Sequence, residues 1–225
     1  MKITYNFTSL VAIGNFNPAI VSVDFLKRVC KLDFGEFVGE SPKGFPVVKS
    51  INYSKVEVYV DLNRFSLRSP NFDEKTLIEL TGAFEVYYEK LPYTPIQAVG
   101  INVNCNLSFE DTTEQAKIKS MVTEPQTYRD FLHSNQVIVI ENFLSMPTEE
   151  EWIKSSYRIN KEDDLSRSIE CQRKDNIITL NYNWEAGDLS SSESARAKLL
   201  KMLSDSSELH AEFRGFIKHV EGDSK

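Results

Sequence analysis

The chain has 225 residues, 41% of them apolar, 11% aromatic and 26% charged, with a formal charge of 26 − 33 = −7. So many aromatic side chains exclude a wholly disordered chain, and no apolar run approaches the roughly 18 residues of a membrane-spanning helix. The acidic excess lies mostly in residues 111–225, where 15 basic groups meet 21 acidic ones (15 − 21 = −6); this disfavours a continuous phosphate-binding face and attraction to anionic lipid.

Residues 2–13 open as a half-buried strand, Ile3, Tyr5 and Phe7 alternating with Thr4, Asn6 and Thr8. Gly14 to Pro18 is a turn. Ser22 is placed to cap a short helix over 23–31, with Phe25, Leu26 and Val29 on one face. A loop rich in Gly and Pro covers 32–46. Residues 47–53 and 55–62 read as a hairpin whose second arm puts Val56, Val58, Val60 and Leu62 on one side. A short strand, 65–68, follows. Asn71 and Glu74 have the spacing of a capping box and introduce a helix over 74–90. Its apolar face holds Leu77, Leu80, Phe84, Tyr87 or Tyr88, and Leu91, and Pro92 ends it.

The strongest strand signal is 95–109. Val99, Ile101, Val103, Cys105, Leu107 and Phe109 alternate with small or polar residues. A polar connector, 111–135, split by Pro125, is the expected domain boundary. Beyond it the pattern predicts a strand at 136–144 and a short helix at 149–157, opened by Thr148 and Glu151. A second hairpin, 166–173 and 176–184, buries Ile178, Leu180, Tyr182 and Trp184. A long helix covers 193–219.

This order predicts an α+β fold of antiparallel sheets with helices on one face. Residues 1–110 read as a ferredoxin-like βαββαβ half. Residues 136–225 read as a related βαββα half with a long C-terminal helix, able to pack with the first as one unit. A single sheet wrapped on the long helix is the competing arrangement.

Chemistry-bearing residues are scattered. Cys30, Cys105 and Cys171 are isolated, which suits reduced thiols in a cytoplasmic protein. The N-terminal segment alternates apolar and polar residues where a signal peptide would be continuously apolar. His210 and His219 are nine residues apart on one predicted helix, on opposite faces, and His133 has no ligand spacing around it. The loop Gly39 to Gly44 resembles a phosphate loop only in its glycine gap, with Phe45 where lysine belongs. Glu57 and Asp61 share a strand face that faces solvent in the simplest reading. Hence no catalytic residue, no cofactor and no metal ligand is expected.

Trp152 stands out as an aromatic anchor beside Glu149 and Glu150, with Tyr157 following. The expected function is therefore a non-catalytic protein-interaction or assembly subunit, with a protein partner or a second copy of itself and no membrane. Two alternatives follow from the same residues. One is an enzyme or small-ligand protein with a pocket between sheet and helix. The other is an RNA-binding tandem ferredoxin-like protein using Tyr59 and the Asn-rich face of 95–109, which the charge opposes.

Overall fold

In a computed structural model of the chain, residues 2–41, 47–108, 113, 139–144, 151–158, 166–174, 177–187, 189, 197–198, 200–202 and 204–222 are described. The protein is α+β. Its strands are β1 (Lys2–Gly14), β2 (Phe37–Ser41), β3 (Val48–Tyr53), β4 (Glu57–Asp61), β5 (Arg64–Ser69), β6 (Ile96–Ser108), β7 (Val139–Leu144), β8 (Glu151–Arg158), β9 (Ser166–Lys174) and β10 (Ile177–Ala186). Helix α1 spans Glu74–Lys90 and α2 spans Ser206–Gly222. The chain divides into two compact units. One comprises residues 1–6, 103–184 and 208–225, the other 7–102 and 185–207. Strands β1 and β6 contribute residues to both. The connector 111–135 lies outside the described residues except for Thr113.

In the unit containing 7–102 the strands lie in the order β2-β3-β4-β5-β1-β6. The hairpin expected at 47–62 forms as β3 and β4, antiparallel, with Ile51 opposite Val58. Val56, Val58 and Val60 are buried, but Leu62 is 51% exposed. The strand ends before it because Asp61 Oδ1 accepts the Asn63 and Arg64 N–H groups at 2.7 and 2.8 Å, turning the chain. A further strand occurs where a loop was expected, and the short strand expected at 65–68 is present. Part of 32–46 pairs as β2 on β3, and 64–69 makes a full strand between β4 and β1. Edge strand β2 exposes Phe37 and Val38, and its ladder is interrupted by a register shift between Phe37 and Gly39. A bulge of this kind discourages pairing with another chain.

Helix α1 takes the predicted bounds, and Leu77, Leu80, Phe84, Tyr87 and Tyr88 are buried. Its cap is Asp73, not Asn71: Asp73 Oδ1 accepts the Thr76 N–H at 2.7 Å. The helix expected at 23–31 winds as a π-helical turn over Phe25–Val29, closed by Cys30 N–H donating to Phe25 O at 3.0 Å. The extra residue per turn rotates the buried face. Leu26 and Cys30 are buried, while Val29 is 47% exposed. Ser22 does cap the turn, its Oγ accepting from Phe25 N–H at 3.1 Å.

Strand β6 has the predicted alternation. Val99, Ile101, Val103, Cys105 and Leu107 are each at most 1% exposed, while Asn102, Asn104 and Asn106 are half-buried. In the other unit the order continues from β6 as β10-β9-β8-β7. Ile178, Leu180, Tyr182 and Trp184 of β10 are fully buried, as expected. Residues 151–158, however, are a strand and not a helix. They pair with β7 and β9, with Ile153 opposite both Leu144 and Cys171. A two-turn helix is marginal alone, and a segment of Trp, Ile, Ser and Tyr gains more from two ladders than from a capping box. The long C-terminal helix is interrupted at Asp205, a turn residue. Ser204 Oγ donates to Lys201 O at 2.7 Å, beside the bond that Asp205 N–H makes to the same oxygen at 2.9 Å. Leu209, Phe213 and Ile217 carry the buried face of α2.

Burial has a consequence at high pH. It pushes the Cys105 thiol up to about 12. It also raises the Tyr87 hydroxyl well above its usual value, with the neighbouring Cys30 adding to the effect. Both groups ionise more readily in the unfolded chain. Their stabilisation is therefore complete below the ordinary thiol value of 9.0 and is lost as the pH rises through the folded values. In thermal melts this contribution should be constant up to about pH 9, and the midpoint should fall above it, less steeply in Cys105→Ala.

Candidate functional site

The unit containing 7–102 carries two concavities built from different chemistry. The first lies at the C-terminal end of α1. Here two proline-bearing turns, 14–20 and 91–95, are fastened together by backbone bonds. Asn15 N–H donates to Pro95 O, and Gly14 and Phe16 N–H donate to Asn63 and Leu62 O, all at 2.9 Å. Glycine is required at 14 by close approach, because a Cβ there would sit 2.1 Å from Pro95 O. Helix α1 ends as Leu91 N–H donates to Tyr87 and Tyr88 O, and the next turn closes with Thr94 N–H on Leu91 O at 3.1 Å. Tyr88 hydroxyl donates to Pro92 O at 3.2 Å.

These restraints hold open a cavity of about 480 Å³. Phe16, Ile20, Tyr87, Leu91 and Pro92 give it apolar walls, and Lys90 is the one charged residue among those lining it. Its base is rigid. The Tyr87 ring stacks on Phe65 with centroids 4.2 Å apart, and meets Phe25 edge-on at 6.2 Å. At the rim Tyr93 is 93% exposed and Ile20 41%. A small, mostly apolar cavity with one fixed charge has the make-up of a binding pocket.

The second concavity, about 310 Å³, lies on the sheet face across β1, β4 and β5. The alternation of β5 sends Phe65 and Leu67 to the core and Arg64, Ser66 and Arg68 to this face. The Arg68 guanidinium lies 3.7 Å over the centre of the Phe7 ring and 3.7 Å from a Glu57 oxygen. Glu57 and Asp61, which share this face, are each engaged. Glu57 also accepts from Ser50 Oγ at 3.0 Å, and Asp61 accepts from the Tyr59 hydroxyl at 3.0 Å. That bond and partial desolvation raise the Tyr59 hydroxyl above its ordinary value. These two carboxylates are bound into hydrogen-bond pairs rather than into each other.

The other unit contains a buried polar network that no motif signalled. Glu212 of α2 accepts from Arg167 Nε of β9 at 3.2 Å and from the Tyr182 hydroxyl of β10. The Arg167 and Glu212 side chains are 8% and 13% exposed. Tyr182 packs on Trp184 and Phe213, so one carboxylate ties α2 to two strands inside an aromatic cluster.

Trp152 and Tyr157 both fall on β8, opposite Gln172 and Arg167 respectively in the pairing with β9. Glu149 and Glu150 lie outside the described residues, as do His133 and the segment Pro42 to Pro46. Among the described residues no group of three or more His, Cys, Asp or Glu side chains is placed to hold a metal ion, and no helix is long and apolar enough to cross a membrane. Against models of known protein families and against curated proteins, the sequence finds no match.

Proposed function

We propose that this chain is a non-catalytic protein-interaction or assembly subunit, and that the cavity at the end of α1 receives its partner. The observation carrying this reading is Tyr93, 93% exposed on a proline-braced turn beside an apolar cavity. An aromatic side chain held in water by a rigid turn loses little entropy on binding, which is what interface anchors provide. Lys90 selects the partner's chemistry: an apolar side chain that enters the cavity, with a carboxylate nearby. In the other unit the same reading assigns contact to Trp152 and Tyr157 and to the acidic pair Glu149 and Glu150. The strand order β4-β5-β1-β6, with α1 between β5 and β6 in the chain, supports a ferredoxin-like core for the unit containing 7–102. Free thiols at Cys30 and Cys105 suit a cytoplasmic protein.

The test uses the complex purified from the protein's native cells. Tyr93→Ala should weaken association with the copurifying partner by about tenfold or more, as hot-spot truncation does, while the thermal midpoint stays unchanged. Lys90→Glu should slow association and reverse its salt dependence. Association unaffected by both substitutions removes the cavity from the interface.

A further inference from the structure

From the second concavity we infer that the protein binds a mononucleotide on its sheet face, a small-molecule site separate from the partner cavity. Three features of the site, taken along β5, match three parts of that ligand.

At one end Arg68 is stacked on Phe7, its guanidinium 3.7 Å from the ring centre. A guanidinium held flat against an aromatic ring offers its other face to a planar π-system, and base stacking on such platforms tolerates every base. Glu57, beside Arg68, keeps acceptor capacity after its bonds to Ser50 and Arg68 and can take an N–H from a base edge.

In the middle are two serine hydroxyls. Ser66 lies midway between Arg64 and Arg68 on β5, and Ser9 is opposite Arg68 on β1. Both residues are buried, 6% and 5% exposed, yet both line the concavity. Each serine hydroxyl can both donate and accept a hydrogen bond there. A sugar with its own hydroxyls satisfies them.

At the other end is Arg64. It is exposed, lines the concavity and has no carboxylate partner among the described residues. Asp61, the nearest acid in sequence, is occupied by Tyr59 and by backbone N–H groups. An unpaired guanidinium is suited to a phosphate. Arg64 and Arg68 are four residues apart on a strand, about 13 Å between their Cα atoms. Arg68 is committed to Phe7 and Glu57 while Arg64 faces the concavity without a carboxylate, so the planar and acidic parts of the ligand are best matched by separate groups on one molecule joined by a polar spacer, as in a nucleotide. The volume of about 310 Å³ admits one nucleotide unit. One phosphate needs one arginine, so the site is compatible with a chain of net charge −7, whereas a nucleic-acid strand would need a basic track.

The experiment is calorimetric titration of the full chain with the four ribonucleoside 5′-monophosphates, the matching nucleosides, inorganic phosphate and a mixed-sequence RNA decamer. At least one monophosphate should bind with a Kd below about 1 mM. Its nucleoside should bind at least tenfold more weakly, and phosphate alone should give no heat. Arg64→Gln should reduce the monophosphate to the affinity of its nucleoside, and Arg68→Gln should weaken both, with thermal midpoints unchanged. The inference is overturned if no monophosphate binds below that limit, or if Arg64→Gln leaves its affinity unaltered. It is also overturned if the decamer binds much more tightly than any monophosphate with a steep salt dependence, which would make the ligand a polymer. Tyr93→Ala should leave nucleotide affinity untouched, so this site and the partner cavity fail or stand separately.

Discussion

Replacing Ile101 by Ala should lower the free energy of unfolding by about 2–5 kcal/mol, the range for truncating a buried Ile. The side chain is 1% exposed, on a strand whose inward positions from Val99 to Leu107 are all closed to solvent. Close packing there leaves no neighbour free to fill the vacated space, so a cavity term adds to the lost transfer energy. The effect should appear as a lower urea midpoint at unchanged slope, since the surface exposed on unfolding is nearly the same. A midpoint equal to that of the wild type would mean that the odd-numbered face of β6 is not core.

Removing Glu212 should cost about as much or more, roughly 3–5 kcal/mol for Glu212→Ala, because the substitution breaks a buried ion pair and leaves one charge behind. Arg167 and the Tyr182 hydroxyl both donate to this carboxylate. Glu212→Gln should cost less, since one amide oxygen still accepts. Chemical unfolding of the two variants measures the difference. Near-equal stability of Glu212→Ala and wild type would show that α2 is held by Leu209, Phe213 and Ile217 alone.

Where burial is governed by alternation, the sequence is easy to read. Val58, Ile101 and Leu180 each sit in a period-two run with one apolar face, and each is buried where that pattern puts it. Helix α1 is equally legible, from its apolar stripe to its stop at Pro92, although its cap is Asp73, two residues beyond Asn71, with Oδ1 accepting the Thr76 N–H. The failures come from contacts between distant residues. Residues 151–158 carry a helix-start signal, yet β7 and β9 supply ladders on both sides, and no local pattern encodes that. Val29 is exposed because a π-helical turn adds one residue to the spacing.

The concavities were legible only in part. Two aromatic turns with prolines, Asn15 to Ile20 and Leu91 to Pro95, are visible in the sequence, but their junction through Gly14 and Pro95 is a long-range contact. Arg64, Ser66 and Arg68 alternate with Phe65 and Leu67, which signals one polar face. The stack of Arg68 on Phe7 depends on β5 pairing with β1. The network of Glu212 with Arg167 spans 45 residues and left no trace in any motif.

We propose that this chain works in a complex through the cavity rimmed by Tyr93. The most direct measurement is sedimentation of the tagged chain, purified from its native cells at low salt, with the companion proteins quantified. The expected result is a species heavier than the 25.8 kDa chain with a companion in fixed stoichiometry, and the lone chain when Tyr93→Ala is purified in the same way. A wild-type protein that sediments alone at 25.8 kDa would contradict it.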